Sequence, residues 1–324
     1  MYQKWRATMK ILKTLGKACL FTICGVLALV LLVCVALNIA KYGIYREYFS
    51  MRTDICTNPG LGDNFVCQGV AVSEEEEVII VCGYMTDKTN SRIYITNEKN
   101  ESKYVTLTRG GEKYTGHAGG VAITGDTVYL ANGSKIYTFP LADLVNAKSG
   151  DVVDIGTGTK VNNNASFVFT NEEYLYVGEF SDLKNGYETD HSFDTPDGNY
   201  LAIITRYAID DLTTPEKIYA VRDYVQGVCF TPDGKVVLST SYGLSDSVYY
   251  VYDESEAEAS GEMLDGAPVY YLTKTKRIVK GPAMGEDMDW YNGRIITLTE
   301  AASNKYIYGK FFFADKIVGL DFGG

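Results

Sequence analysis

Five stretches of this 324-residue chain place a polar or small residue directly ahead of an apolar run. Gln68 precedes GVAV, His117 with Gly119 precedes GVAI, and Asn164 precedes ASFVF. Gln226 precedes GVCF, and the pair Glu286 and Asp287 precedes MDW. Amide, imidazole and carboxyl groups gathered around one axis have three chemical uses. A metal reading assigns calcium or another divalent cation to Glu286, Asn164 and Gln226; calcium favours six to eight oxygens with several carboxylates among them. A catalytic reading makes His117 a general base, which needs a carboxylate within hydrogen-bond reach, and Glu286 is the candidate. A polar-ligand reading needs only hydrogen-bonding groups, and the plainest outcome is a plug of side chains and ordered water. Glu179 and Glu300, at the ends of neighbouring apolar runs, are further carboxylates for the same place. The GxSxG, HExxH, GxxxxGK[ST] and CxxC patterns are absent, so no standard nucleophile, zinc or phosphate site is written in the chain.

The elements that must position these residues form a repeat. QGVAV at 68–72 is matched by GGVAI at 119–123, ASFVF at 165–169, QGVCF at 226–230 and EDMDW at 286–290. The starts are spaced by 51, 46, 61 and 60 residues. Each copy continues with a second β-rich run (VIIVCGY, TVYLANG, YLYVGEF, VVLSTSY, RIITLTE) and then a third. Short Val/Ile/Tyr runs separated by Gly, Asp, Asn and Ser read as strands and tight turns. Four antiparallel strands at this period predict a five-bladed β-propeller over residues 65–324. The fifth copy ends after its third strand, so part of residues 44–55 is expected to supply the fourth. The acidic stretches SEEEE, from residue 73, and 253–266 read as a hairpin turn and an exposed loop. The insertion at 184–199, which carries His191, reads as a surface element lying over one face.

Ahead of the repeat, residues 18–40 carry no charge and are long enough to cross a bilayer as a helix. Residues 1–17 hold Lys4, Arg6, Lys10, Lys13 and Lys17 and no acid. By the positive-inside rule, this predicts a cytoplasmic N-terminus, an uncleaved signal anchor, a linker at 41–64 and an extracytoplasmic propeller. Five of the 30 basic residues and none of the 41 acidic ones lie in the first forty, which leaves the remainder at −16. Such a surface disfavours nucleic acid as a partner. Cys56 and Cys67 flank a Gly/Pro/Asn-rich loop on the oxidising side and are candidates for a disulfide. Cys82 and Cys229 sit inside apolar runs and read as core thiols.

From residue 226 the chain reads QGVCFTPDGKVVLSTSYGLSDSVYYVYD, and later PAMGEDMDWYNGRIITLTEAASNKY. These stretches resemble a family of extracytoplasmic bacterial five-bladed propellers, and the architecture is more distantly similar to gluconolactonase-like and calcium-dependent nucleotidase propellers. The resemblance implies a divalent metal in the central channel, with Glu286, Asn164, Gln226 and Gln68 at the ligand positions. Two functions are expected from these readings. One is a membrane-anchored binding or scaffold module for a polar small molecule, glycan or protein. The other is a metal-dependent hydrolase of the lactonase or phosphoester type.

Overall fold

The strand runs fold as their alternation dictates, and in the computed structural model, which describes residues 1–306 and 313–323, they form five blades. The blades' innermost strands are Phe65–Ser73, Gly120–Thr124, Phe167–Thr170, Val225–Phe230 and Gly285–Tyr291. Each pairs antiparallel with the strand that follows it. Successive innermost strands pack side by side, and the fifth returns to the first, so the ring is closed. The protein is an all-β, five-bladed propeller with one N-terminal apolar helix.

Side chains on alternate faces of each sheet fill the spaces between blades. Ile80, Ile93 and Val105 of blade 1 meet Val128, Leu130 and Tyr137 of blade 2. Tyr129 and Ile136 of blade 2 meet Val168, Leu175 and Tyr207 of blade 3. Phe65, Val81 and Tyr94 of blade 1 meet Ile296, Leu298 and Ile317 of blade 5. Each fully buried Val, Ile or Leu in these layers stabilises by about 1.5–3 kcal/mol.

Blade 5 takes its fourth strand from the start of the propeller. Arg52–Thr57 pairs antiparallel with Lys316–Leu320, from Arg52 opposite Leu320 to Thr57 opposite Lys316. The pairing segment lies later than most of 44–55, because Arg46–Met51 is helical. Two further segments strap blades together. Val152–Asp154, from the blade 2 connection, runs parallel to Lys103–Arg109 on the outside of blade 1. The acidic stretch expected as a loop is instead part of a β-hairpin, Glu258–Leu264 with Ala267–Tyr271, whose second strand pairs parallel with Asp211–Val221 of blade 3. The burial lies in the second strand, just past the acidic stretch: Ala267 and Val269 are buried against Ile203 and Ile218, whereas Glu262 and Asp265 are exposed.

The expected Cys56–Cys67 disulfide is not formed, and both thiols are free and buried. Cys67 is turned to its own partners: Sγ accepts from Asn58 Nδ2 (3.1 Å) and donates to the Thr299 carbonyl (3.3 Å). Cys82 and Cys229 are buried core thiols.

The other compact unit, residues 1–49, is built on a helix from Tyr2 to Ile39 that continues as a π-helical turn, Ala40–Ile44. The basic residues expected as a tail are therefore helical as well. Thr8–Ile44 is long and apolar enough to span a bilayer.

At the ring centre, close approach selects glycine. A Cβ on Gly69 would lie 2.7 Å from Val121 N and 2.8 Å from Gly120 Cα. One on Gly227 would lie 2.7 Å from Asp287 Cα. Gly69→Ala is expected to lower stability by about 1–3 kcal/mol through overpacking, measured by chemical denaturation. Gly62→Ala, which meets nothing within 4 Å, is the control and should change it by less than about 0.5 kcal/mol.

Candidate functional site

Because each second strand runs antiparallel to the first, its C-terminal end lies beside the first strand's entry. Two sets of side chains therefore meet at one mouth of the ring. Gln68, His117, Asn164, Gln226 and Glu286 come from the entries. Tyr84, Asn132, Phe180, Tyr242 and Glu300 come from the ends of the second strands. Together they line a cavity of about 540 Å³, joined by Tyr187 from the blade 3 insertion and by Lys305 and Tyr306 after the last blade turn. Asp287 lies deeper: it is fully buried and does not line this cavity.

One wall is a polar network. Gln68 Nε2 donates to Glu300 Oε2 at 3.0 Å. Tyr306 hydrogen-bonds both Glu300 and Tyr84. Lys305 Nζ donates to the Tyr84 hydroxyl at 2.6 Å, and its charge lies 4.8 Å from the Tyr306 ring centre. His117 stacks on Tyr84, with ring centres 4.6 Å apart. The opposite wall is aromatic. Phe180 meets Tyr187 edge-on at 5.3 Å and Tyr242 at 6.3 Å.

Burial, then the nearby Glu300 and Asp287 charges, push the Glu286 carboxyl well above its ordinary range. Burial also raises Glu300, against the opposing influence of Lys305, Gln68 and Tyr306. Both carboxyls are thus raised, with the Lys305 ammonium opposing the rise in each. Protein packed around His117 and the nearby Lys305 charge hold its imidazole below the ordinary range, so it is neutral. Among the described residues its ring has no carboxylate partner, so the general-base arrangement with Glu286 is not assembled.

The donor set does not fit a hard divalent cation. Two carboxyls share the mouth with the Lys305 ammonium, whereas such a cation takes several carboxylate oxygens. Among the described residues, no group of three or more His, Cys, Asp or Glu side chains is placed to hold a metal.

His191, on the insertion, forms an ion pair with Glu179 at 3.3 Å. Glu179 is anchored in turn by the Asn164 and Ile203 main-chain N–H groups, at 3.0 and 3.3 Å. The hydrogen bond to Glu179 raises the His191 pKa against the opposing effect of burial.

Two carboxylates occupy the axis below the cavity. Asp287 Oδ2 accepts the Val121 N–H at 3.2 Å, and the Val70 N–H bonds the same side chain. Asp289 Oδ2 accepts the Val72 N–H at 2.8 Å, and Oδ1 accepts its neighbour Trp290 N–H. Burial pushes Asp287 well above the carboxylate range and Asp289 up to about 7. Asp289 opens on the other mouth, a cavity of about 790 Å³ rimmed by Glu74, Glu75 and Glu172. The SEEEE run is thus a hairpin turn at that mouth.

A scan against protein-family models finds no match, and neither does a comparison with curated proteins. Among solved structures, the chain is similar to RS223-β-xylosidase, at 10% identity and a TM-score of 0.47, covering 83% of this chain and 94% of that one. It is similar to the GH43_1 enzyme from Xanthomonas citri complexed with xylose, at 9% identity and 0.44, covering 85% and 89%. It is also similar to the PQQ-bound aldose sugar dehydrogenase from Streptomyces coelicolor, at 14% identity and 0.42, covering 76% of each chain. These likenesses concern the arrangement of blades, and the chemistry of the mouth is read from this chain's own residues.

The axial and mouth carboxyls set a pH dependence. In the unfolded chain they ionise near pH 4. In the folded chain burial raises them, so the native state holds more protons between about pH 4 and pH 7 and loses stability as pH rises through that window. The denaturation midpoint is expected to be higher at pH 5 than at pH 8, and Asp289→Asn should narrow the difference. A higher midpoint at pH 8 would contradict this assignment.

Proposed function

We propose that the protein is a membrane-anchored binding module whose propeller takes a small, electrically neutral, hydroxyl-rich ligand, such as a sugar, in the cavity lined by Gln68, Asn164, Gln226 and Glu286. The observation that carries this reading is the composition of that one cavity. Amides from several blades, a carboxyl pair and an aromatic wall converge in a space of about 540 Å³. Concave sites of some 300–1,000 Å³ with a few placed polar groups are the usual form of small-molecule sites. The amides donate and accept, and the Glu286 and Glu300 carboxyls, both raised by burial, add further polar oxygens, which suits a ring of hydroxyls. With His117 neutral, both carboxyls raised by burial and Lys305 beside Glu300, the lining disfavours a strongly charged ligand.

On this reading the helix at Thr8–Ile44 is the anchor. The basic residues at its start keep the N-terminus in the cytoplasm and put the propeller outside, as in the extracytoplasmic bacterial propellers that the last two blades resemble. The acidic surface is that of a protein with no nucleic-acid partner.

The test is a thermal melt of the full chain in lipid nanodiscs with a panel of neutral mono- and disaccharides, then with chelator and with added calcium. A ligand that binds only the native state raises the melting temperature. At least one saccharide is expected to do so, with chelator and calcium neutral and with binding weakened roughly tenfold by Gln226→Ala or Asn164→Ala. A calcium-dependent rise lost in Glu286→Gln, with no response to any saccharide, would overturn this reading in favour of the metal-dependent hydrolase.

A further inference from the structure

Among the described residues, seven large apolar side chains of the propeller are exposed, and four of them belong to the two loops beside the aromatic wall. Leu183 and Tyr187 lie on the blade 3 insertion, and Tyr242 and Leu244 follow the second strand of blade 4. Leu244 is 71% exposed and Tyr187 54%. The loops are built, not trailing. Asp182 and Tyr187 close the first by pairing their main chains in both directions, at 2.9 and 3.0 Å. Ser245 N–H bonds the Tyr242 carbonyl to close the second, at 3.2 Å. Phe180 lies between them, in contact with both Tyr187 and Tyr242.

Isolated apolar side chains on a surface call for no explanation, but two exposed tyrosines that also line a polar cavity, each sharing its loop with an exposed leucine, do. Four side chains make far too small a surface for a specific protein partner, which covers about 800 Å² on each side. They match a group the size of a phenyl ring or a short alkyl chain. Tyr187 and Tyr242 belong to both surfaces: they line the cavity and are exposed at its rim. A molecule seated among the amides and carboxyls would therefore leave its outward substituent against them.

We propose that the ligand is a glycoside-like amphiphile, with a hydroxyl-rich ring in the cavity and an apolar substituent lying across Tyr187, Tyr242, Leu183 and Leu244. This rests on the reading of the cavity as a site for a neutral hydroxylated ligand, and it adds the part of the molecule that remains outside. The amide and carboxyl floor recognises the ring, and the rim selects for what the ring carries.

The experiment compares matched methyl and phenyl β-glycosides of glucose, galactose, mannose and xylose. Each is titrated against the full chain in nanodiscs, with empty nanodiscs as the blank. For a sugar that binds, the phenyl glycoside is expected to bind about tenfold more tightly than the methyl glycoside, from the apolar area it removes from water. The double variant Leu183→Ser, Leu244→Ser, with both changes on exposed side chains outside the cavity lining, should shrink that ratio at least threefold and leave methyl glycoside binding unchanged. Equal binding of methyl and phenyl forms would overturn the amphiphile and leave the sugar site standing. A failure of every glycoside to bind would overturn both.

Discussion

Five strands converging on one axis leave a row of main-chain N–H groups on their inner edges with no further strand to pair with. An unpaired buried N–H costs about as much as a lost hydrogen bond, and the ring interior is too tight for most side chains to help. Three blades make room with glycine, at Gly69, Gly120 and Gly227. Blade 5 departs from the pattern and places Asp287 at the equivalent position, with Asp289 two residues on. Their carboxyl groups accept from Val121, Val70 and Val72, so one blade satisfies the edges of two others. The asymmetry of the ring therefore begins at its centre.

The same pair divides the channel into two unlike mouths. Below it the hairpin turns bring Glu74, Glu75 and Glu172 together. Above it strand entries and second-strand ends converge on the cavity with its amides, carboxyl pair and aromatic wall. Asp287 also bears on the second mouth's chemistry from a distance, since it adds to the effect of burial in raising the neighbouring Glu286 carboxyl. Fold and site are thus joined by a short run of sequence, Gly285 to Tyr291.

Much of this was legible in the chain. The fivefold recurrence of the first strand gave the blades, and the residue ahead of each run gave Gln68, His117, Asn164, Gln226 and Glu286, which the fold gathers at one mouth. What escaped follows from antiparallel register. Tyr84, Phe180 and Tyr242 close their second runs a dozen or more residues after the entries they face, so proximity in sequence did not flag them. Glu300 stood out only because it is charged. Lys305 and Tyr306 lie in the connection between the second and third strands of blade 5, outside the strand runs that recur. The stretch 253–266 misled through its acidic composition, which concealed the strands on either side of Gly266. The Cys56–Cys67 expectation rested on the loop between them, whereas the thiols answer to the strands that carry them. Asp287 was grouped with the ligand residues because sequence cannot tell a carboxyl aimed into a cavity from one already bound to main-chain amides.

The most direct test of this account is the stability of Asp287→Ala, which keeps the Cβ and removes only the carboxyl. With Val121 and Val70 left without their acceptor inside the ring, the unfolding free energy should fall by about 2 kcal/mol or more. A variant within about 0.5 kcal/mol of the parent would contradict the account, because the inner edges would then be satisfied without the carboxylate.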